Sequence, residues 1–265
     1  MSVFGRRGTY HVQTAPSPAL GSGVAGHGAA ASDGAAATER RLPGDDALVD
    51  AYRFLQLCVG IIAILLAFVP PIGAAIIDGE GLKSSISAYY YTSMGAYFVG
   101  SMCALGVVFA SYRHKPRAKY KRDNQLSNVA GILAVMVALL PTSTEGGNAS
   151  GGPKVVAWIH VSCAAVLLLV LAYLSYFLFT KPKTPKNSTP RTRRKLRQNC
   201  VYRACGVLIA GAVALIGLLN LLDAGKSWHA SFYLEASAVV LFGVSWLVKS
   251  ELVRVPFTRR EEAGA

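Results

Sequence analysis

Charge is what this chain has least of. Asp, Glu, Lys and Arg make up 15% of its 265 residues, where a soluble domain carries about a quarter. A water-soluble globule is therefore not the reading to start from. Acidic residues are the scarcer sign, 14 against 27 Lys and Arg, and the net charge is +13. Cysteine is also sparse. Cys58, Cys103 and Cys163 fall inside apolar stretches, Cys200 and Cys205 at the start of another, and no second Cys or His pair accompanies them. That pattern argues for packing rather than a disulfide framework or a zinc site. The N-terminal region has no apolar core of signal-peptide type. No Gly-x-Ser-x-Gly elbow surrounds any serine, and no internal repeat relates the two halves of the chain.

What is abundant is apolar sequence in long runs. Six stretches approach the 20 or so residues that cross a hydrocarbon core. They are Phe54–Ile77, Met94–Tyr112, Leu126–Pro141, Val155–Thr180, Val201–Leu222 and Ser231–Val248. The third is short. Positive charge collects in alternate connections: six Lys or Arg between Arg113 and Arg122, and eight between Lys181 and Arg197. The other connections carry Lys83, Lys154 and Lys226 alone. Cytoplasmic loops of membrane proteins gather Lys and Arg in this way. The expected fold is all-α, a six-transmembrane-helix bundle in a cell membrane (plasma or bacterial inner) with both termini cytoplasmic. Residues 1–46, rich in Ala, Gly and Ser, are expected to be a disordered cytoplasmic tail, 47–252 the membrane domain, and 253–265 a cytoplasmic tail. Basic residues placed between spans do not form a nucleic-acid surface, so membrane lipids are the expected electrostatic partner and nucleic acid is not.

Three finer expectations follow. Trp158 and Trp228 at outer ends, and Trp246, Tyr112, Tyr173, Tyr176 and Tyr202 towards inner ends, read as interfacial belts. Pro70-Pro71 should break the first span and leave Ile72–Ile77 at the outer surface. Gly206, Ala210 and Ala214 recur every four residues, a signal for close helix packing. The run from Lys181 to Arg197, interrupted by three prolines, reads as a solvated loop.

Ionisable groups inside spans are costly and need a partner or a cavity. His160 lies roughly 8 Å along the fourth span, and Glu235 at a similar depth in the sixth, beside Tyr233. Asn220 and Asp223 arrive at the same side, as do Pro141-Thr142 and the segment Ser84 to Thr92, which contains Ser87, Tyr89 and Tyr90. One reading is an outward-facing polar cavity for a lipid or small ligand, with Glu235 and His160 near its floor. The other is an interhelical hydrogen-bond cluster. A proton-coupled or small-molecule transporter, and a structural subunit that docks a protein partner through its basic loops, are the alternative functions. Enzymatic activity is not expected: His229 and Glu235 are six residues apart, which does not place them on one helical face as metal ligands, and no cofactor or metal is implied. At the inner face, Arg113, Asp123 and Arg203 are candidates for binding a lipid headgroup; the plainer account is snorkelling cations with Asp123 as their local partner.

Several short motifs carry a family likeness. Ser85-Ile86-Ser87-Ala88-Tyr89-Tyr90-Tyr91-Thr92, Ser111-Tyr112-Arg113, Leu126-Ser127-Asn128, Leu139-Leu140-Pro141-Thr142 and Tyr202-Arg203 together resemble an uncharacterised bacterial six-span integral membrane family. More remotely they are similar to Frag/DRAM-type membrane proteins. The resemblance covers about residues 50 to 252. It implies the six-span fold and no particular reaction.

Overall fold

The computed structural model describes residues 45–111, 121–140, 142, 154–181, 193–222, 224 and 229–251. These residues are all-helical, and no strand occurs among them. Six α-helices follow one another: α1 (Asp45–Ile77), α2 (Gly95–Ser111), α3 (Lys121–Leu139), α4 (Lys154–Tyr173), α5 (Arg193–Leu221) and α6 (Ala230–Ser250). A 3-10 turn, Ser87–Tyr91, precedes α2, and a π-helical turn, Leu174–Leu178, extends α4. Each helix packs on its chain neighbours and α6 closes against α1, which makes a ring of six. Four helices, α1, α4, α5 and α6, are long and apolar enough to cross a membrane; α2 and α3 are shorter apolar helices. That pattern is consistent with a multi-pass membrane protein.

Apolar side chains cannot gain much by leaving lipid for protein, so helices in a bilayer associate through close packing of small residues. Two reciprocal glycine crossings supply it here. A Cβ on Gly243 of α6 would lie 2.8 Å from the Gly60 carbonyl of α1, and one on Gly60 would lie 3.0 Å from the Gly243 carbonyl. A Cβ on Gly131 of α3 would lie 2.7 Å from the Gly106 carbonyl of α2, with 3.0 Å in the reverse direction. Gly206 of α5 makes the close approach its sequence spacing suggests: a Cβ there would lie 2.9 Å from the Ala172 carbonyl of α4. Ala214, from the same set, faces outward.

Three sequence expectations are corrected. The helix does not break at Pro70-Pro71: α1 runs through both to Ile77. Proline forfeits only its own N–H bond, whereas ending the helix within an apolar environment would strand several backbone groups. Gly73 also sits against the Met94 side chain, which holds this last stretch to the bundle. Trp246 and Tyr202 are not interfacial. Both are buried, and the Trp246 ring packs against Phe109, Phe179 and Phe242 at 5.4–6.1 Å, with Phe179 in turn 5.6 Å from Tyr202. Trp158, 73% exposed near the start of α4, does fit an interfacial position; Trp228 and Tyr112 lie outside the described residues. Finally, α5 begins at Arg193, so the end of the basic run up to Arg197 is helical rather than loop.

Candidate functional site

After α1 ends, the chain from Asp78 to Met94 folds into a compact segment held by its own side chains. Asp78 Oδ2 accepts the Ser93 N–H at 3.0 Å, Glu80 pairs with Lys83 at 2.9 Å, and the Tyr89 hydroxyl accepts the Lys83 N–H at 3.2 Å. Ser85 Oγ accepts the Ala88 N–H at 3.1 Å and lies 3.1 Å from Ser87 Oγ, the local side-chain bonding that serines offer a turn. Thr92 Oγ1 donates to the Tyr89 carbonyl at 2.8 Å and accepts the Met94 N–H at 3.1 Å. A side chain at Gly95 would collide with the Tyr90 carbonyl, so glycine is what lets α2 start directly behind the turn.

Glu235 meets this segment from α6. Phe232, one turn earlier on the same face, is buried with its ring 6.1 Å from that of Tyr89. Glu235 is half-buried, and its Oε2 accepts the Ile86 N–H at 2.9 Å. A buried backbone donor needs an acceptor, and the carboxylate supplies it. Among the described residues no Lys, Arg or His pairs with Glu235. The neighbouring Lys83 is engaged by Glu80.

His160 works at the end of another helix. Its Nδ1 lies 2.7 Å from the carbonyl of Leu140, the residue just past α3. A carbonyl only accepts, so Nδ1 carries the proton, and in the neutral ring Nε2 holds a lone pair. That Nε2 is buried and meets no partner among the described residues, in a side chain 2% exposed. Two residues on, the Thr142 carbonyl accepts the Tyr91 hydroxyl at 2.6 Å. Glu235, the 3-10 turn and the exit of α3 are thereby joined through Ile86 and Tyr91, and His160 fastens the same exit to α4.

The expected cavity floor is thus assembled differently. Glu235 and His160 hold different elements and are not hydrogen-bonded to each other. Tyr89 is a core side chain, fully buried, and Tyr90 is half-buried edge-on to Tyr91 at 5.2 Å. Ser87 lies in the turn that Glu235 anchors. Tyr233 is 56% exposed and Asn220 is exposed, so neither turns into the bundle; Asp223 lies outside the described residues. The sequence brings the whole segment Ser84 to Thr92 to this side but singles out Ser87, Tyr89 and Tyr90, not Tyr91, Ser85 or the Ile86 N–H. Tyr91 carries the only visible signal of the three, as the third member of a tyrosine run. His229, which adopts a left-handed backbone (φ 53°) just before α6, was named only as a possible ligand; its Nδ1 is buried without a partner among the described residues. No group of three or more potential metal ligands occurs among those residues.

At the opposite end of the bundle, the two headgroup candidates among the described residues, Asp123 and Arg203, have different partners. Both Asp123 oxygens bind Lys181 Nζ, one of them at 2.8 Å, and the Asp123 side chain is 3% exposed. Asp123 is the local partner of a cation, as in the plainer account. The Arg203 guanidinium lies 5.9 Å over the Tyr176 ring, and Arg113 is outside the described residues.

No family model, curated protein or solved structure matches this chain.

Proposed function

We propose that this chain is a six-span integral membrane protein that binds a small ligand or a lipid on its outer side, at the carboxylate of Glu235. The observation that carries the reading is an ionisable side chain within an apolar helix, half-buried, engaged by one backbone N–H and by no cation among the described residues. An intramembrane carboxylate without a countercharge marks a functional site by default. The family resemblance and the alternating Lys/Arg distribution support six spans, with the tail, the basic connections and the C-terminus on the cytoplasmic face. The 17 residues of α2 rise about 25 Å, a few ångströms under the usual core thickness, a mismatch that local bilayer thinning absorbs.

A second reading is favoured by the same bond and by that of His160. Each side chain satisfies a backbone group of a neighbouring element, which is what a purely structural clamp would do. Native mass spectrometry of gently solubilised protein, wild type beside Glu235→Gln, separates the two. Gln keeps an acceptor for the Ile86 N–H and removes the charge. A bound species present in wild type and absent from the variant supports the site; identical spectra with nothing bound favour the clamp.

A further inference from the structure

We propose that the group bound at Glu235 is a primary ammonium, carried by a lipid headgroup or by a small free amine; this rests on the ligand-binding reading above. The charged group that the site leaves uncommitted is an acceptor. Glu235 spends one oxygen on the Ile86 N–H, and its other oxygen has no donor among the described residues. Ser85 and Ser87 flank Ile86, and their hydroxyls lie 3.1 Å apart. Ser85 Oγ already accepts the Ala88 N–H and one of the two hydroxyls donates to the other, so the serine pair keeps acceptor capacity together with one O–H donor. Lys83, the cation of this segment, is held by Glu80 at 2.9 Å.

An anion is repelled by the Glu235 carboxylate and is offered at most one hydroxyl donor by the serine pair. A neutral ligand leaves Glu235 either as a carboxylate without a countercharge, a costly state in an apolar surrounding, or as a protonated acid. A primary ammonium brings one positive charge and three N–H donors, matching one carboxylate oxygen and two adjacent hydroxyls. A quaternary ammonium brings the charge with no N–H donors. Access fits as well: Glu235 is partly exposed, and Tyr233, two residues before it on α6, and Tyr91 of the turn are exposed. Tyrosines at such a depth are the side chains that lie among headgroups.

The test uses the full-length protein in nanodiscs of phosphatidylglycerol doped equally with phosphatidylethanolamine and phosphatidylcholine, with retained lipids read by native mass spectrometry. Thermal unfolding with added free ethanolamine is read in parallel. Wild type should retain phosphatidylethanolamine over phosphatidylcholine, and Glu235→Gln should lose that preference about tenfold or more. Stabilisation by ethanolamine without lipid preference, again lost in Glu235→Gln, supports the proposal with a soluble amine as ligand. A Glu235-dependent ligand that is anionic or lacks N–H donors overturns the ammonium assignment while leaving the binding site standing. No retained species and no ethanolamine effect overturn both. Should Glu235→Gln fail to fold, the wild-type preference between the two zwitterionic lipids decides alone, and equal retention without ethanolamine stabilisation refutes the proposal.

Discussion

Replacing Gly243 with Ala adds one methyl group to the crossing of α1 and α6. That methyl would stand 2.8 Å from the Gly60 carbonyl oxygen and 2.7 Å from Ile64 Cγ1, whereas ordinary contact begins near 3.4 Å. The Ile64 side chain can rotate away. The Gly60 carbonyl belongs to a helix backbone, so relief requires the two axes to part by about 0.5 Å, which forfeits roughly a quarter of each dispersion contact along the crossing. Overpacking of this kind costs about 1–3 kcal/mol. Gly131→Ala, whose methyl would lie 2.7 Å from the Gly106 carbonyl, should cost a similar amount at the α2–α3 crossing. Gly211→Ala on α5 is the control: its methyl meets nothing within 4 Å, and helix propensity alone favours Ala by up to about 1 kcal/mol. Reversible unfolding in mixed micelles, followed by circular dichroism as the denaturing detergent fraction rises, measures all three. Wild-type or greater stability in both Gly243→Ala and Gly131→Ala would refute the close-crossing account.

Other consequences follow from single contacts. Lys181→Met should destabilise the fold by about 2–3 kcal/mol, because Asp123 is left buried without its cation; Asp123→Leu combined with Lys181→Met should recover most of that loss in the same unfolding assay. Glu251 ends α6 with φ 61°, a conformation glycine adopts freely, and its ion pair to Arg53 is long at 3.6 Å and partly exposed. Glu251→Gly should therefore raise stability by several tenths of a kcal/mol, the relieved backbone strain of about 1 kcal/mol outweighing a weak surface pair. His160→Phe keeps a planar aromatic ring but strips the Leu140 carbonyl of its donor. A loss of about 1–3 kcal/mol is expected, and hydrogen exchange should quicken where α3 ends.

Much of the architecture was legible in the sequence because it follows from one-dimensional quantities. The length of an apolar run sets the helix, and each of the six expected spans begins or ends within two residues of the helix that forms. The two largest departures, α1 starting at Asp45 and α5 at Arg193, are charged turns that precede the apolar helices, where hydropathy carries no signal. Pro70-Pro71 misled because the rule for proline is calibrated on helices with water as an alternative partner. Trp246 misled for another reason: on a helix apolar all round, nothing in the pattern separates the face that meets lipid from the face that meets protein. The places of Glu235 near the start of α6 and of His160 near the start of α4 were readable from the spans. Their partners were not, since the Ile86 N–H lies 149 residues from Glu235 and the Leu140 carbonyl is a backbone group that any residue carries. The glycine crossings were hidden likewise: Gly60 and Gly243 become a pair only once α6 has closed against α1.

The claim on which the rest depends is that all six helices cross the membrane, α2 included. Single cysteines at the exposed positions Ser84 and Ser111, in a variant lacking the five native cysteines, flank the 3-10 turn and α2. Labelling with a membrane-impermeant maleimide should modify Ser84→Cys in intact cells, and Ser111→Cys only after permeabilisation. Labelling of both positions, or of neither, in intact cells would mean that α2 does not cross and would contradict the account.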